Sequence, residues 1–113
     1  MKIEKRQQDD VTVVVIEGVI KLGESARLFS DYLKELIDGG AGPVLIDMTA
    51  IDYVDSTGLG ELVGYLQRFE GQGRSLALLR PQSRILNLLK VTQLDTVFQI
   101  FTDDREAIEA LKG

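Results

Sequence analysis

Two hydroxyls and an aspartate stand together in "IDYVDSTGLGEL", Ile51 to Leu62, with two glycines directly behind them. A strand-like run, "PVLIDM", precedes this stretch, and an amphipathic helical pattern follows it. Such a cluster at a strand-to-helix junction could be a catalytic centre, an anion site, a modification switch or a capped helix. Serine nucleophiles need a base, and the chain has neither histidine nor cysteine, which closes the Ser-His-Asp and Cys-His schemes. The same absence removes the usual ligands of zinc and iron. The carboxylates that remain show no EF-hand spacing, and "GLGELVG" (Gly58 to Gly64) has glycines without the lysine of a phosphate-binding loop. The expectation is a protein that is not an enzyme and carries no metal and no cofactor.

Bulk properties narrow the partners. A chain of 113 residues is read as one domain, 1–113, and its 44% hydrophobic and 27% charged content is that of a globular protein. The net charge of −5, with no cluster of Lys and Arg, argues against nucleic acid. No run reaches the roughly 18 apolar residues that span a bilayer. The opening "MKIEKRQQDD" has no apolar core of a signal peptide, so a cytoplasmic location is expected, with no membrane partner.

The elements that must position the cluster alternate. Lys2 to Gln7 reads as a polar edge strand, Gln8 to Asp10 as a turn, and "VTVVVIEG" as an inner strand, apolar on both faces. Phe29, Tyr32, Leu33, Leu36 and Ile37 recur at helical spacing within Glu24 to Asp38, and Gly39, Gly40 and Gly42 end that helix. "PVLIDM" (Pro43 to Met48) is a short buried strand. A second helix, Thr57 to Glu70, buries Leu59, Leu62, Val63, Leu66 and Phe69, leaving Glu61, Tyr65 and Arg68 as its exposed stripe. "RSLALLRP" (Arg74 to Pro81) forms a strand, Ser83 to Lys90 a short helix, and "TVFQIF" (Thr96 to Phe101) the last strand. Asp103 and Asp104 then open a helix ending near Lys112. This alternation predicts an α/β domain with a mainly parallel sheet, an antiparallel N-terminal edge strand and flanking helices. Sites in such sheets lie beyond the carboxyl ends of the strands, where "DSTG" sits.

Capping alone explains the cluster poorly. With Ser56 or Thr57 as N-cap, a capping box would want Glu or Gln three residues on, yet Leu59 and Gly60 stand there. Gly58 and Gly60 in a first turn cost about 1 kcal/mol each relative to alanine. Close approach of another molecule to bare backbone would explain them.

"IDYVDSTGLGELVGYLQRF" resembles the signature of the STAS-domain anti-sigma-factor antagonists of bacterial partner-switching systems. Asp55, Ser56, Thr57, Gly58, Leu59 and Gly60 match the family's Asp-Ser-Ser/Thr-Gly-Leu-Gly residue by residue, and "IEGVI" and "LLKVTQLDTVFQIF" extend the likeness over nearly the whole chain. The resemblance implies that Ser56 accepts phosphate from an anti-sigma factor with serine-kinase activity and a GHKL-type ATP fold. The unmodified antagonist binds that kinase and frees the sigma factor; a serine phosphatase resets the switch. A partner-binding face of Lys21, Asp55, Thr57, Gly58, Leu59, Gly60 and Glu61 is expected around it, with Gly58 and Gly60 letting the partner approach backbone.

One departure stands out. Where many members carry "GE(L/I)D", this chain has "GVIKLG", with Val19 for the Glu and Lys21 for the Asp. A cation there could pair with phosphorylated Ser56 or select a different partner. Two rival readings remain beside the antagonist. One is a STAS subunit of a non-sigma assembly, such as a transporter or stress-signalling complex. The other is a receiver domain using Asp47, which lacks the acidic pair after the first parallel strand and the lysine after the last.

Overall fold

The computed structural model describes all 113 residues. β1 (Lys2–Gln8) and β2 (Val11–Ile20) form an antiparallel hairpin, turned at Asp9 with φ of 55°. α1 (Glu24–Gly39) crosses to β3 (Val44–Val54), and α2 (Ser56–Gly71) crosses to β4 (Leu76–Leu79). α3 (Ser83–Val91) and a 3-10 turn (Leu94–Thr96) lead to β5 (Ile100–Phe101), and α4 (Asp104–Leu111) ends the chain. The sheet order is β1-β2-β3-β4-β5, with β2 through β5 parallel. The expected α/β architecture with its antiparallel edge strand is thereby borne out.

The doubly apolar strands sort their residues between two cores, as strand alternation requires. Val14, Ile16, Ile46, Met48 and Leu78 point into the larger one, beneath Phe29 and Leu33 of α1 and Leu62 and Phe69 of α2. Val11, Val13, Leu45, Ala77 and Leu79 line the smaller one, closed by Ala107, Ile108 and Leu111 of α4. Full burial of each large aliphatic or aromatic side chain is worth about 1.5–3 kcal/mol, so the two cores hold the sheet from both sides. No helix is long and apolar enough to cross a membrane.

Three element boundaries differ from expectation. β3 does not stop at Met48 but runs to Val54, because Ile51 and Val54 continue its buried face while Asp52 and Tyr53 face out. Its ladder with β2 slips between Val15 and Glu17 and between Gly18 and Val19, where Gly18 adopts φ of 108°. Such irregularities re-aim the end of a strand pair. β4 is shorter than "RSLALLRP" because Arg74 leaves the sheet to close the end of α1. Its guanidinium donates to the carbonyls of Gly42 (2.9 Å), Ile37 (3.1 Å) and Leu36 (3.3 Å) and stacks on Phe69 at 4.6 Å. "TVFQIF" is mostly not strand. The 3-10 turn takes up Thr96, and only Ile100 and Phe101 pair, against Leu78 and Leu79.

Candidate functional site

Asp55, not Ser56 or Thr57, is the N-cap of α2. Its backbone is extended (φ −91°, ψ −176°), and its Oδ1 accepts the Gly58 N–H at 2.9 Å. Oδ2 accepts the Leu22 N–H, also at 2.9 Å, and the Asp55 N–H donates to the Ile20 carbonyl at 3.2 Å. One carboxylate therefore caps the helix and pins the loop between β2 and α1. A charged acceptor makes a stronger cap bond than a hydroxyl, which is why the aspartate takes the role. Ser56 becomes the first helical residue, exposed and outside the cap.

The Gly58 N–H, then the Leu22 N–H, hold the Asp55 carboxyl below its ordinary value of 3.8. A depressed carboxylate contributes stability that is complete above its unfolded value and is lost as pH falls through the folded one. Asp55→Ala should therefore melt below wild type at pH 7, with the gap closing as pH drops beneath 3.8. Thermal unfolding of both proteins across that range checks this; a gap independent of pH would mean the carboxylate charge is idle.

The two hydroxyls face different grooves. Ser56 borders an apolar groove of about 600 Å3 between the end of β3 and α3, floored by Leu59 and Leu88 and flanked by Tyr53, Val91 and Arg84. Tyr53 and Val91 are 44% and 83% exposed, so this mouth presents apolar surface to solvent. Thr57 is half-buried on the other side, facing α1 near Ala26 and Ser30, with Glu61 beside it.

The glycines are unlike each other. A Cβ on Gly58 would lie 2.6 Å from the Ile20 carbonyl oxygen and 2.9 Å from Ile20 Cγ2, so this glycine is required by the seating of α2 on β2. Gly58 is buried and offers no backbone to a partner. Gly60 is exposed, with nothing within 4 Å of such a Cβ. Lys21 is exposed on its loop, where its N–H donates to Ser25 Oγ at 2.9 Å, and it is not among the residues bordering the Ser56 groove.

The exposed stripe expected on α2 is broken. Tyr65 is buried, its hydroxyl 3.1 Å from Ser30 Oγ across the α1–α2 contact, and Arg68 lies over its ring at 4.8 Å. The chain's amphipathic pattern misses this because a tyrosine can bury its ring and satisfy its hydroxyl at once. Asp47 is also committed: its Oδ1 accepts both the N–H and the hydroxyl of Thr49, and Arg80 approaches Oδ2 at 3.8 Å. Arg84, by contrast, escaped the sequence reading altogether. It lies 28 positions beyond Ser56 in the sequence and no local spacing links them.

Sheet order and helix placement define a small α/β domain that presents a serine at the β3–α2 junction. The model of the STAS domain matches residues 2–107, and the chain belongs to that family. It is 31% identical over 100 residues to the anti-sigma-B factor antagonist of Bacillus subtilis, covering 88% of this chain and 90% of the relative. A crystal structure of a Thermotoga maritima protein superimposes with a TM-score of 0.90 at 24% identity, covering 96% of this chain and 93% of that one. The Bacillus cell fate determinant SpoIIAA in its phosphorylated form shares the fold with a TM-score of 0.75 at 16% identity, covering 98% and 100%.

Proposed function

We propose that this protein is an anti-sigma factor antagonist of a bacterial partner-switching pathway, acting in the cytoplasm. Unphosphorylated, it binds an anti-sigma serine kinase of the GHKL ATP fold and so releases a sigma factor; phosphate on Ser56 prevents that binding, and a serine phosphatase restores it. The observation that carries this reading is the position of Ser56. It is the first residue of α2, exposed, relieved of capping by Asp55 and bordered by an apolar groove on which a partner can seat. A phosphate added there meets the positive end of a helix dipole, so the fold tolerates it. Among the proposed partner-binding residues, Gly60, Glu61, Thr57 and Lys21 present accessible surface. Leu59 contributes through the groove wall, and Asp55 and Gly58 act by shaping the backbone.

Ser56, and not Thr57, is the acceptor, since Thr57 is turned toward α1. Incubation with the GHKL anti-sigma kinase of the same genome and ATP, followed by mass spectrometry, should place one phosphate on Ser56. The Ser56→Ala protein should take none. Modification persisting in that variant would overturn the assignment, and no modification of either protein would overturn the phospho-switch.

A further inference from the structure

We propose that Arg84 of α3 is the counter-ion of phosphorylated Ser56, closing over the phosphate from across the groove. This rests on the reading of Ser56 as the phosphoacceptor, and it goes further by assigning the group that receives the phosphate within the chain. Ser56 and Arg84 border the same groove, from α2 and from α3 respectively. Arg84 is exposed and takes part in none of the ion pairs of the fold. Its guanidinium is thus free to move to a new anion, and its planar fork suits a phosphate dianion better than an ammonium does.

The other charges at this end of the sheet do not compete equally. Both oxygens of Asp55 are already held by the N–H groups of Leu22 and Gly58, and the Leu59 N–H is taken by the Asp55 carbonyl. The start of α2 therefore has few free donors left for a phosphate, and a side chain must supply the rest. Lys21, the cation that sequence alone suggests, does not border the groove. Asp52 shares a polar hollow with Arg84 but forms no ion pair with it, and it is the one carboxylate there that competes with the phosphate for the guanidinium. Glu61, one turn along α2, faces the α1 side with Thr57. Drawn toward Ser56, Arg84 would lie over the apolar mouth formed by Tyr53, Leu88 and Val91. Phosphorylation would then cover the docking groove as well as charge its rim.

The test uses protein with phosphoserine installed at position 56 by genetic-code expansion, so that no kinase is needed. A phosphoserine gives up its second proton near pH 6, and a cation a few ångströms away favours the dianion and lowers that value. In a 31P NMR titration, the phosphate of the otherwise wild-type protein should titrate about half a pH unit below that of Arg84→Gln. Lys21→Gln and Lys90→Gln should titrate as wild type, and Arg84→Lys should fall between. Because Arg84 is exposed, its variants should melt as wild type when unphosphorylated. Identical titration of wild type and Arg84→Gln would overturn the proposal, as would a shift seen only with Lys21→Gln. Failure of the kinase to label Ser56 would instead refute the proposed function and leave this titration readable.

Discussion

Phosphate on Ser56 should weaken binding to the anti-sigma kinase at least ~100-fold, about 2.7 kcal/mol, while changing the domain's own stability by no more than about 1 kcal/mol. The two effects separate because the phosphate meets two environments. In the free domain it faces water, the N-terminal end of α2 and Arg84, so most of its charge is offset. In the complex it would be desolvated against a surface shaped for a neutral hydroxyl, where an unpaired charge costs several kcal/mol. The Asp55 carboxylate next to it already carries a negative charge into the interface, held ionised by two N–H groups. Lys21→Asp, outside the groove, should leave this difference unchanged. Calorimetric titration and thermal unfolding of both forms decide the matter. Equal binding by the phosphorylated protein would overturn the switch, and a melting point lowered by far more than the roughly 3–6 °C that 1 kcal/mol represents would show that the phosphate acts by unfolding.

Local patterns made most of the fold legible. The doubly apolar β2, the helical recurrence from Phe29 to Ile37 and the Asp103 cap each depend on residues within a turn or two of one another, and each appears as expected. What sequence left open depends on distance. Arg74 shortens β4 because carbonyls more than 30 positions earlier need a donor, and no nearby pattern reveals that. β5 shrinks because the 3-10 turn takes up Leu94–Thr96, and only Ile100 and Phe101 pair with β4. The site divides the same way. The position of Ser56 at the head of a helix could be read from "DSTG", but the choice of cap could not, since Asp55, Ser56 and Thr57 are all good caps by type. Beyond its charge, the aspartate gains a second bond from the Leu22 N–H, contributed from 33 positions away, which no local spacing reveals. Arg84 enters the site by the same kind of long-range contact, through the seating of α3 beside β3.

Gly58→Ala should destabilise the domain by about 1–3 kcal/mol, a fall in melting temperature of roughly 3–18 °C, whereas Gly60→Arg should leave stability unchanged or slightly raised. By composition alone the two glycines are equivalent, and alanine at either would be worth about 1 kcal/mol in helix propensity. At Gly58 that gain is outweighed. The new methyl would stand 2.6 Å from the Ile20 carbonyl oxygen, 2.9 Å from Ile20 Cγ2 and 3.1 Å from Val54 Cγ1. Neither the carbonyl nor the buried strand residues can retreat, so α2 must lift from β2. Lifting it strains the Asp55 N–H bond to that same carbonyl and the cap bond from the Gly58 N–H to Asp55. At Gly60 nothing lies within 4 Å, and the side chain projects into solvent on the face assigned to the partner. Gly60→Arg should therefore act on binding, weakening the kinase complex by more than ~1.4 kcal/mol, a tenfold loss. Melting curves and a binding titration on both variants separate the two roles. Gly58→Ala melting with wild type would mean that α2 is not seated as tightly as these distances require. Unchanged affinity in Gly60→Arg would place the partner on a different face of the domain.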